Sequence, residues 1–511
     1  PFLKKIVDPS LYPHDPYFDL KQYHYSYFWY LFIPFYKMGI LEPVLFIVHI
    51  FAEFFTLLGI WFVAKVLFDD DRIANASVLI LMLPHLSFGG FPLIEFQVIN
   101  RTVILPFLLY GIVLFLQKKY IRSFILLGIL YNFHALSVHF VLAPFGLYYL
   151  IDWKHVSIKT KLLSTIGFIL SALPVFAWKF SNSRIELATT KEWFDMINLT
   201  LLHTVFTFWS PLPLVIILST GGIGIFALYW YLVKKLPERE SNPMLTTFIM
   251  GSAIACALGF LFSQWIPLTF IIQFQLVRAV IIALILVYIS YAAYVYRQFD
   301  KKKIQALDLM ILLTSALVFF SPLLLLIYIP IFMFVRKKYK FVAVIITLFI
   351  FFGGLMFSRK LQTWQPGIHI YSIHDSWYDT QKWAKDNSAK DSVFIVPPEK
   401  WWMYELGWHV ESERSTVFTS YELLELAFVP SYTKYFVERL DDVAPHARAK
   451  FNGDVFYTRK LLHDSYYGQD ENHWRYVGAK YGAKYFVAEK PKRYTFPVVY
   501  ENKGYRVYMI K

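Results

Sequence analysis

Apolar segments follow one another along residues 41–357, and most are close to the roughly 20 residues that a helix needs to cross a bilayer. Short polar stretches separate them. This pattern predicts a polytopic α-helical membrane protein with about twelve spans. The predicted spans cover approximately residues 41–67, 76–91, 101–117, 121–134, 136–152, 161–178, 211–233, 245–263, 270–296, 305–320, 322–335 and 341–357.

The short loops between these segments alternate between basic loops and loops that are poor in Lys and Arg. The basic loops are residues 117–122, 153–161, 234–235, 297–303 and 336–340. Positive residues in short loops remain on the cytoplasmic side of a membrane. The alternation therefore predicts an inner-membrane protein whose N-terminal segment and C-terminal region both lie on the extracytoplasmic face.

Two polar segments flank or interrupt the spans on that face. Residues 1–40 are polar and aromatic, and we predict that residues 25–40 form a helix lying in the membrane interface. Residues 179–211 carry acidic side chains among apolar ones, which is typical of an amphipathic helix on the outer surface. The predicted division is a loop at 1–40, a transmembrane bundle at 41–357 and an α/β domain at 358–511.

The composition changes after the last apolar segment. Helical spacing covers residues 376–386, 431–441 and 471–481, and Gly482 suits a helix C-cap. Strand-like runs cover residues 392–396, 484–488, 497–500 and 505–510, and residues 501–504 join the last two as a hairpin. Alternating helices and strands predict an α/β domain. Its predicted core contains Phe394, Ile395, Tyr485, Val487, Val499 and Val507.

The composition supports the prediction of a membrane protein, and it limits the classes of partner that the chain is predicted to bind. The chain is 57% hydrophobic, too apolar for a soluble globule of 511 residues. The net charge of +14 is spread over many loops instead of forming one basic patch, so nucleic acid is not a predicted partner. The single cysteine, Cys256, cannot form a disulfide within the chain.

Ionisable residues near the outer ends of the spans are the candidate functional residues, because charges at membrane depth usually face a cavity or a partner. Acids, arginines and histidines together suit a lipid-linked anionic substrate: arginines bind a phosphate, a carboxylate acts as base, and the bundle holds the lipid tail. The bundle contributes Glu95, Arg101, His134 and Arg278, and the N-terminal segment contributes Asp8, His14, Asp15 and Asp19.

Structural roles remain open for each of these residues. Glu95 and Arg101 could pair only with each other, and Arg278 could extend its charge to the membrane surface. The N-terminal acids lie beside prolines and could be turn formers. His134 and His139 are five residues apart and do not share a helix face, so we predict no metal site there.

Specific stretches resemble a known family. Ser-Trp-Tyr-Asp-Thr-Gln-Lys-Trp-Ala-Lys-Asp-Asn at 376–387, followed by residues 391–398, is similar to the helix–strand unit that opens the soluble domain of the GT-C superfamily of integral-membrane glycosyltransferases. Residues 481–488 and 498–508 are similar to later parts of that domain. Glu413-Arg414-Ser415 is similar to uncharacterised bacterial GT-C-like membrane proteins. The superfamily includes protein O-mannosyltransferases, aminoarabinose transferases and oligosaccharyltransferase subunits.

This resemblance implies transfer of a sugar from a polyprenyl-phosphate donor to an acceptor on the outer face. The first outer loop of the family carries the catalytic acid, which Asp15 matches best, with Asp8 and Asp19 as further candidates. The family often has an adjacent pair of acids there, and this chain has none, so a divalent metal ion is left open as the cofactor. In the family that loop also follows a first transmembrane helix, which is absent from these 511 residues, so whether such a helix lies upstream of Pro1 is left open.

Two further functions stay open beside the glycosyltransferase. One is a non-catalytic GT-C-like subunit of a larger envelope complex, with other membrane subunits as partners. The other is a transporter or flippase of a lipid-linked sugar, which would favour polar residues at the membrane midplane and inverted symmetry. Neither of those two signals is clear in the sequence. Membrane lipid and the lipid-linked donor are the predicted partners.

Overall fold

The computed structural model describes the whole chain except residues 24, 84, 86–92, 96, 153, 183–189, 201–211, 237–241, 319–321, 337, 361–367, 369, 401–406 and 511. Helices dominate the first two thirds. They are α1 (Phe2–Val7), α2 (Ile33–Lys37), α3 (Leu41–Phe68), α4 (Asp71–Leu81), α5 (Asn100–Leu116), α6 (Tyr120–Ile151), α7 (Ile158–Ser171), α8 (Leu173–Asn182), α9 (Lys191–Thr200), α10 (Leu212–Val233), α11 (Pro243–Gln264), α12 (Thr269–Gln273), α13 (Val280–Asp300), α14 (Ala306–Val318), α15 (Pro322–Val335) and α16 (Lys340–Lys360).

Several of these helices are suited to cross a membrane. By length and composition alone, four runs within the described residues are long and apolar enough: α3, α6, α11 and the run Thr269–Asp300. Of these, α6 folds back on itself at His134, so its length is not that of one straight span. Helices α7 and α8 would make a fifth, although a bend of 60° separates them. The prediction of about twelve spans is not supported, because other apolar stretches form helices of only 10–17 residues, such as Asn100–Leu116 and Pro322–Val335.

Helix α6 contains a reversal of the chain. His134 has non-helical dihedral angles, φ −157° and ψ 88°. Residues on either side of it face each other: the rings of Phe124 and Tyr149 stack at 5.4 Å, and those of Tyr131 and His139 lie 5.2 Å apart. A straight helix of 32 residues would be about 48 Å long and would keep these rings apart. The two parts of α6 are therefore the antiparallel arms of a helical hairpin.

The bundle is built around α13. Most residues of this helix are buried, and the most apolar part of the run Thr269–Asp300 is 67% buried inside the protein. A helix that is apolar on all sides belongs in the centre of a bundle. Helices α4, α10, α11 and α14 pack around it.

Ion pairs join several loops at one end of the bundle. Arg72, at the start of α4, bonds Asp70 and also reaches Asp300 at the end of α13, at 2.9 Å in each case. Arg336, after α15, bonds Asp308 at the start of α14. The basic loops around residues 300 and 336 therefore lie together.

The C-terminal region forms a five-stranded sheet. Its strands are β1 (Val393–Ile395), β2 (Ser415–Thr416), β3 (Tyr485–Glu489), β4 (Val498–Glu501) and β5 (Tyr505–Met509), in the order β2-β1-β3-β5-β4. Strands β2, β1 and β3 are parallel, whereas β5 is antiparallel to both β3 and β4. The sheet and the closing hairpin confirm the predicted strands, and β2 is the one that the sequence did not indicate.

Helices cover this sheet. They are α17 (Ser376–Asn387), α18 (Trp408–Ser412), α19 (Leu423–Leu426), α20 (Thr433–Val443), α21 (Val455–Tyr467) and α22 (Glu471–Tyr481). The three predicted helices are present, and Gly482 caps α22 with φ +70°. Of the predicted core, four residues are fully buried and two are half-buried against it; the buried ones are Phe394, Ile395, Val487 and Val507, and the half-buried ones are Tyr485 and Val499.

The N-terminal segment completes the core of the C-terminal domain. Tyr12, Tyr17 and Phe18 are buried in the same apolar cluster as the helices of that domain. Trp193 of α9 joins them, and its Nε1 donates to the carbonyl of Leu426 at 2.7 Å. Within the segment 179–211, predicted as an amphipathic helix on the outer surface, α9 is described and its apolar residues pack against protein. Residues 183–189 and 201–211 of that segment lie outside the described residues.

Residues 25–40 do not form the single interfacial helix that we predicted. A 3₁₀ turn, Phe28–Phe32, and the short α2 replace it. Leu31 is 54% exposed and Met38 is 67% exposed, so this segment presents apolar side chains outward, as a membrane-interface segment would.

Candidate functional site

Three of the predicted site residues, Glu95, Arg101 and Arg278, line one cavity in the bundle. The cavity has a volume of about 40 Å³, which is room for a few water molecules. Its other walls are mainly apolar, with two hydroxyl groups, and they consist of Leu93, Thr102, Leu105, Leu108, Ser137, Phe140, Ile281 and Ile282. Converging charged groups in apolar surroundings are one feature of small-ligand sites.

Glu95 and Arg101 form a two-point ion pair at the start of α5. Arg101 donates from Nε to Glu95 Oε1 at 2.5 Å and from Nη2 to Oε2 at 2.6 Å. The structural role considered for Glu95 and Arg101 in the sequence analysis was that they pair with each other, and this pairing is confirmed. Both side chains still reach the cavity: Arg101 is 26% exposed and Glu95 is 15% exposed. The pair therefore places a guanidinium and a carboxylate side by side at the cavity wall.

Arg278 enters the same cavity from a break between helices. Gln275 follows α12 by two residues and adopts a left-handed conformation with φ +48°. It precedes a 3₁₀ turn, Leu276–Ala279, which leads into α13. Arg278 Nη1 donates to Gln275 Oε1 at 2.5 Å. Because Arg278 is only 9% exposed and lines the cavity, the alternative of an arginine extended to the membrane surface is wrong.

His134 supports the cavity wall from the α6 hairpin. Its Nδ1 lies 2.7 Å from the hydroxyl oxygen of Ser137, and the Ser137 backbone N–H donates to the same nitrogen at 3.4 Å. The ring thus caps the second arm, as an N-cap side chain does. Ser137 lines the cavity, whereas His134 is not among the lining residues.

Asp15 lies in a different place. It is 2% exposed, and its Oδ2 lies 2.6 Å from His409 Nε2, while Oδ1 accepts from the backbone of Tyr17 at 3.2 Å. The rings of Tyr12 and Phe18 pack edge-on against His409. Asp15 therefore joins the N-terminal segment to the C-terminal domain, and it does not line the cavity.

The other N-terminal candidates are on the surface. Asp8 bonds Lys390 at 2.6 Å and Ser10 at 2.5 Å, and these hydrogen bonds lower the pKa of Asp8 to about 2. His14 and Asp19 are exposed. None of the three lines the cavity, so the structure does not bring them to Glu95 and the two arginines.

The sequence analysis missed two groups of residues. Ser137 lines the cavity, and Gln275 accepts a hydrogen bond from Arg278, which lines it too. The only signal for either residue was a polar side chain in an apolar run. Glu399, His463 and Glu489 form a cluster in the C-terminal domain whose potential ligand atoms all lie within 4.8 Å of one another. They come from distant parts of the chain, so no spacing motif could have indicated them.

The fold and the cavity together define a helical membrane-associated protein with a small α/β domain and a charged, apolar-walled pocket among its helices. Comparison of the sequence with protein-family models gives no match, and comparison with curated proteins gives none either. The chemistry of the pocket therefore follows from its own geometry.

Proposed function

We propose that the protein is an inner-membrane glycosyltransferase that moves a sugar from a polyprenyl-phosphate donor to an acceptor on the extracytoplasmic face. The observation that carries this proposal is the convergence of Glu95, Arg101 and Arg278 on one apolar-walled cavity. A lipid-linked sugar phosphate has an anionic group beside a hydrocarbon chain. Guanidinium groups bind phosphate through paired N–H donors, and the apolar wall suits the chain.

The reaction assigns a role to each charged residue. The acceptor hydroxyl oxygen attacks the anomeric carbon of the sugar, the bond from that carbon to the phosphate oxygen breaks, and the hydroxyl proton passes to Glu95. Arg278 and Arg101 stabilise the negative charge that remains on the polyprenyl phosphate. Arg101 holds both oxygens of Glu95 when no donor is bound, and a donor phosphate competes for that guanidinium.

The catalytic base of this proposal is Glu95, because it is the carboxylate that lines the cavity. Asp15, which the family resemblance favours, is enclosed with His409 away from the cavity. Its catalytic role remains a prediction, and the same experiment tests it. Asp8 and Asp19 remain further candidates for the base if neither residue is needed.

The test uses purified full-length protein with polyprenyl-phosphate sugars in detergent. Arg278→Ala should weaken donor binding by at least tenfold, because a charged hydrogen bond contributes about 1.5–3 kcal/mol. Glu95→Gln should bind the donor but abolish transfer. Arg122→Ala, which removes an exposed arginine of the bundle, is the matched control and should leave both unchanged. Loss of transfer in Asp15→Asn but not in Glu95→Gln would move the base to Asp15.

A second candidate function is a non-catalytic subunit of a larger envelope complex. One observation favours it: Glu95 is held at both oxygens by Arg101, and Asp15 is enclosed with His409, so neither acid is presented freely to a substrate. Donor binding without turnover in the wild-type protein would support this function. Failure to bind any polyprenyl phosphate would contradict the glycosyltransferase proposal.

A further inference from the structure

The cluster of Glu399, His463 and Glu489 lies at one edge of the C-terminal sheet. Strands β1 and β3 are parallel, so their carboxyl ends meet at the same edge. Glu489 is the last residue of β3, and Glu399 follows β1 after two prolines. His463 comes from α21. Ligand sites in sheets with parallel strands commonly form outside the carboxyl ends of those strands.

Glu399 has an unusual environment for a carboxylate. The residue is 5% exposed, and neither of its oxygens accepts a hydrogen bond from another residue in the described part of the chain. Burying a charged group without a partner is costly. Burial accordingly raises the pKa of Glu399 to about 7. A cation placed between the three side chains would supply the missing partner.

The surrounding groups orient the other two side chains toward the same point. Glu489 Oε1 bonds Lys400 Nζ at 2.5 Å and Tyr505 at 3.3 Å, while Oε2 lies 3.5 Å from His463 Nε2. His463 Nδ1 lies 3.2 Å from the carboxylate of Asp464. A histidine that bonds a carboxylate through one nitrogen and presents the other inward is the usual arrangement around a bound metal.

Charge balance favours a cation at this point. Lys400 is the positively charged group that contacts the cluster, and it neutralises one of the two glutamates. Within the described part of the chain no cation forms a hydrogen bond with Glu399, on which the charges of Lys400 and His463 act only at longer range. The ring of Tyr467 packs on His463 at 4.7 Å, and its hydroxyl oxygen accepts from the Glu489 backbone at 2.9 Å, so these neighbours add no further charge.

We propose that Glu399, His463 and Glu489 form a binding site for a divalent transition-metal ion, of which Zn²⁺ fits the ligands best. One imidazole and two carboxylates are suitable Zn²⁺ ligands, whereas Mg²⁺ and Ca²⁺ prefer oxygen ligands alone. Ligand atoms around a tetrahedral ion lie roughly 3.4 Å apart. The potential ligand atoms now lie within 4.8 Å of one another, and a bound ion would draw them together to that distance. Three protein ligands leave a fourth position for water.

The experiment uses full-length protein stripped of metal with a chelator and then titrated with Zn²⁺, with the bound metal counted by mass spectrometry. The wild-type protein should bind one Zn²⁺ per chain, and Mg²⁺ or Ca²⁺ should not compete. Glu399→Gln and His463→Ala should each weaken binding by at least tenfold. His446→Asn is the control, because His446 is an exposed histidine of the same domain whose φ of +62° an asparagine tolerates.

Thermal unfolding separates a ligand role from a purely structural one. Zn²⁺ should raise the unfolding temperature of the wild-type protein, because an ion that binds only the folded state stabilises it. Metal-free Glu399→Gln should unfold at or above the wild-type temperature, since the variant no longer buries an acid, and Zn²⁺ should leave it unchanged. The proposal would be overturned if the wild-type protein bound no stoichiometric Zn²⁺. It would also be overturned if both variants bound Zn²⁺ as tightly as the wild type does.

Discussion

Glu422 is an acidic residue in the interior, where the C-terminal domain meets the N-terminal segment. It is 1% exposed; its Oε2 accepts from the Tyr432 hydroxyl at 2.6 Å, and its Oε1 accepts from the Thr419 backbone at 2.9 Å. Burial, reinforced by the nearby charge of Asp15, raises the pKa of Glu422 to about 8. The folded protein therefore holds a proton here more tightly than the unfolded chain does.

This difference makes stability depend on pH in a definite direction. The ordinary pKa of the group is 4.5, so its contribution to stability is complete below that value and is lost as pH rises toward about 8. We expect the unfolding temperature to fall between pH 5 and pH 8, as measured by intrinsic fluorescence. Glu422→Gln, which mimics the neutral acid, should flatten that part of the profile. A variant profile as steep as the wild-type one would contradict the assignment.

Single residues differ in how far the sequence could place them. Glu95 lies in the loop before α5 and Arg101 lies six positions later in the first turn of that helix, so their pairing was a short-range inference. The bond between Asp15 and His409 joins residues 394 positions apart. Such a contact depends on how the whole chain folds, and no local pattern of hydrophobic or polar residues reports it.

At the level of elements, Asn132 connects the α6 hairpin to the bend between α7 and α8. Its side-chain nitrogen donates to the carbonyl of Ser171 at 2.8 Å, and its side-chain oxygen accepts from the backbone of Val175 at 3.0 Å. Its own carbonyl accepts from the backbone of Tyr27 at 2.9 Å. One side chain thus bonds the backbone on both sides of the bend, and the N-terminal segment docks beside it.

Removing this amide should destabilise the bend. Asn132→Ala leaves the Ser171 carbonyl and the Val175 N–H buried without these bonds, which costs roughly 1–3 kcal/mol for each group. We expect a lower unfolding temperature in detergent. Asn387→Ala at the exposed end of α17 is the control and should change the free energy of unfolding by about 0.5 kcal/mol or less. Equal effects of the two substitutions would show that Asn132 does not hold the bend.

Hydropathy located the apolar stretches but not their division into helices. The predicted cut between residues 134 and 136 agrees with the break at His134, yet the predicted span 161–178 is split by the bend near residue 172. A hydropathy profile reports how apolar a stretch is, whereas the position of a break depends on which buried side chains bond the freed backbone groups. The elements of the C-terminal domain were easier to predict, because turn residues separate its short strands.

At the scale of the whole molecule, the orientation in the membrane remains a prediction. The predicted orientation places Lys119, in a basic loop, on the cytoplasmic side of the membrane. It places Lys460, in the C-terminal domain, on the extracytoplasmic side. Single cysteines at these two exposed positions, in a background where Cys256 is replaced by alanine, should react differently with an impermeant thiol reagent applied to intact cells. Position 460 should be labelled and position 119 protected. The reverse result would invert the orientation.

The shared core of the N-terminal segment and the C-terminal domain has a consequence for biosynthesis. Ribosomes release Tyr12, Tyr17 and Phe18 long before the strands that bury them, with the whole membrane bundle made in between. These aromatic side chains must wait, exposed, until the last part of the polypeptide emerges on the same side of the bilayer. The core therefore closes only after the C-terminal domain has been synthesised, and a truncated chain that lacks this domain would leave the three aromatic side chains exposed.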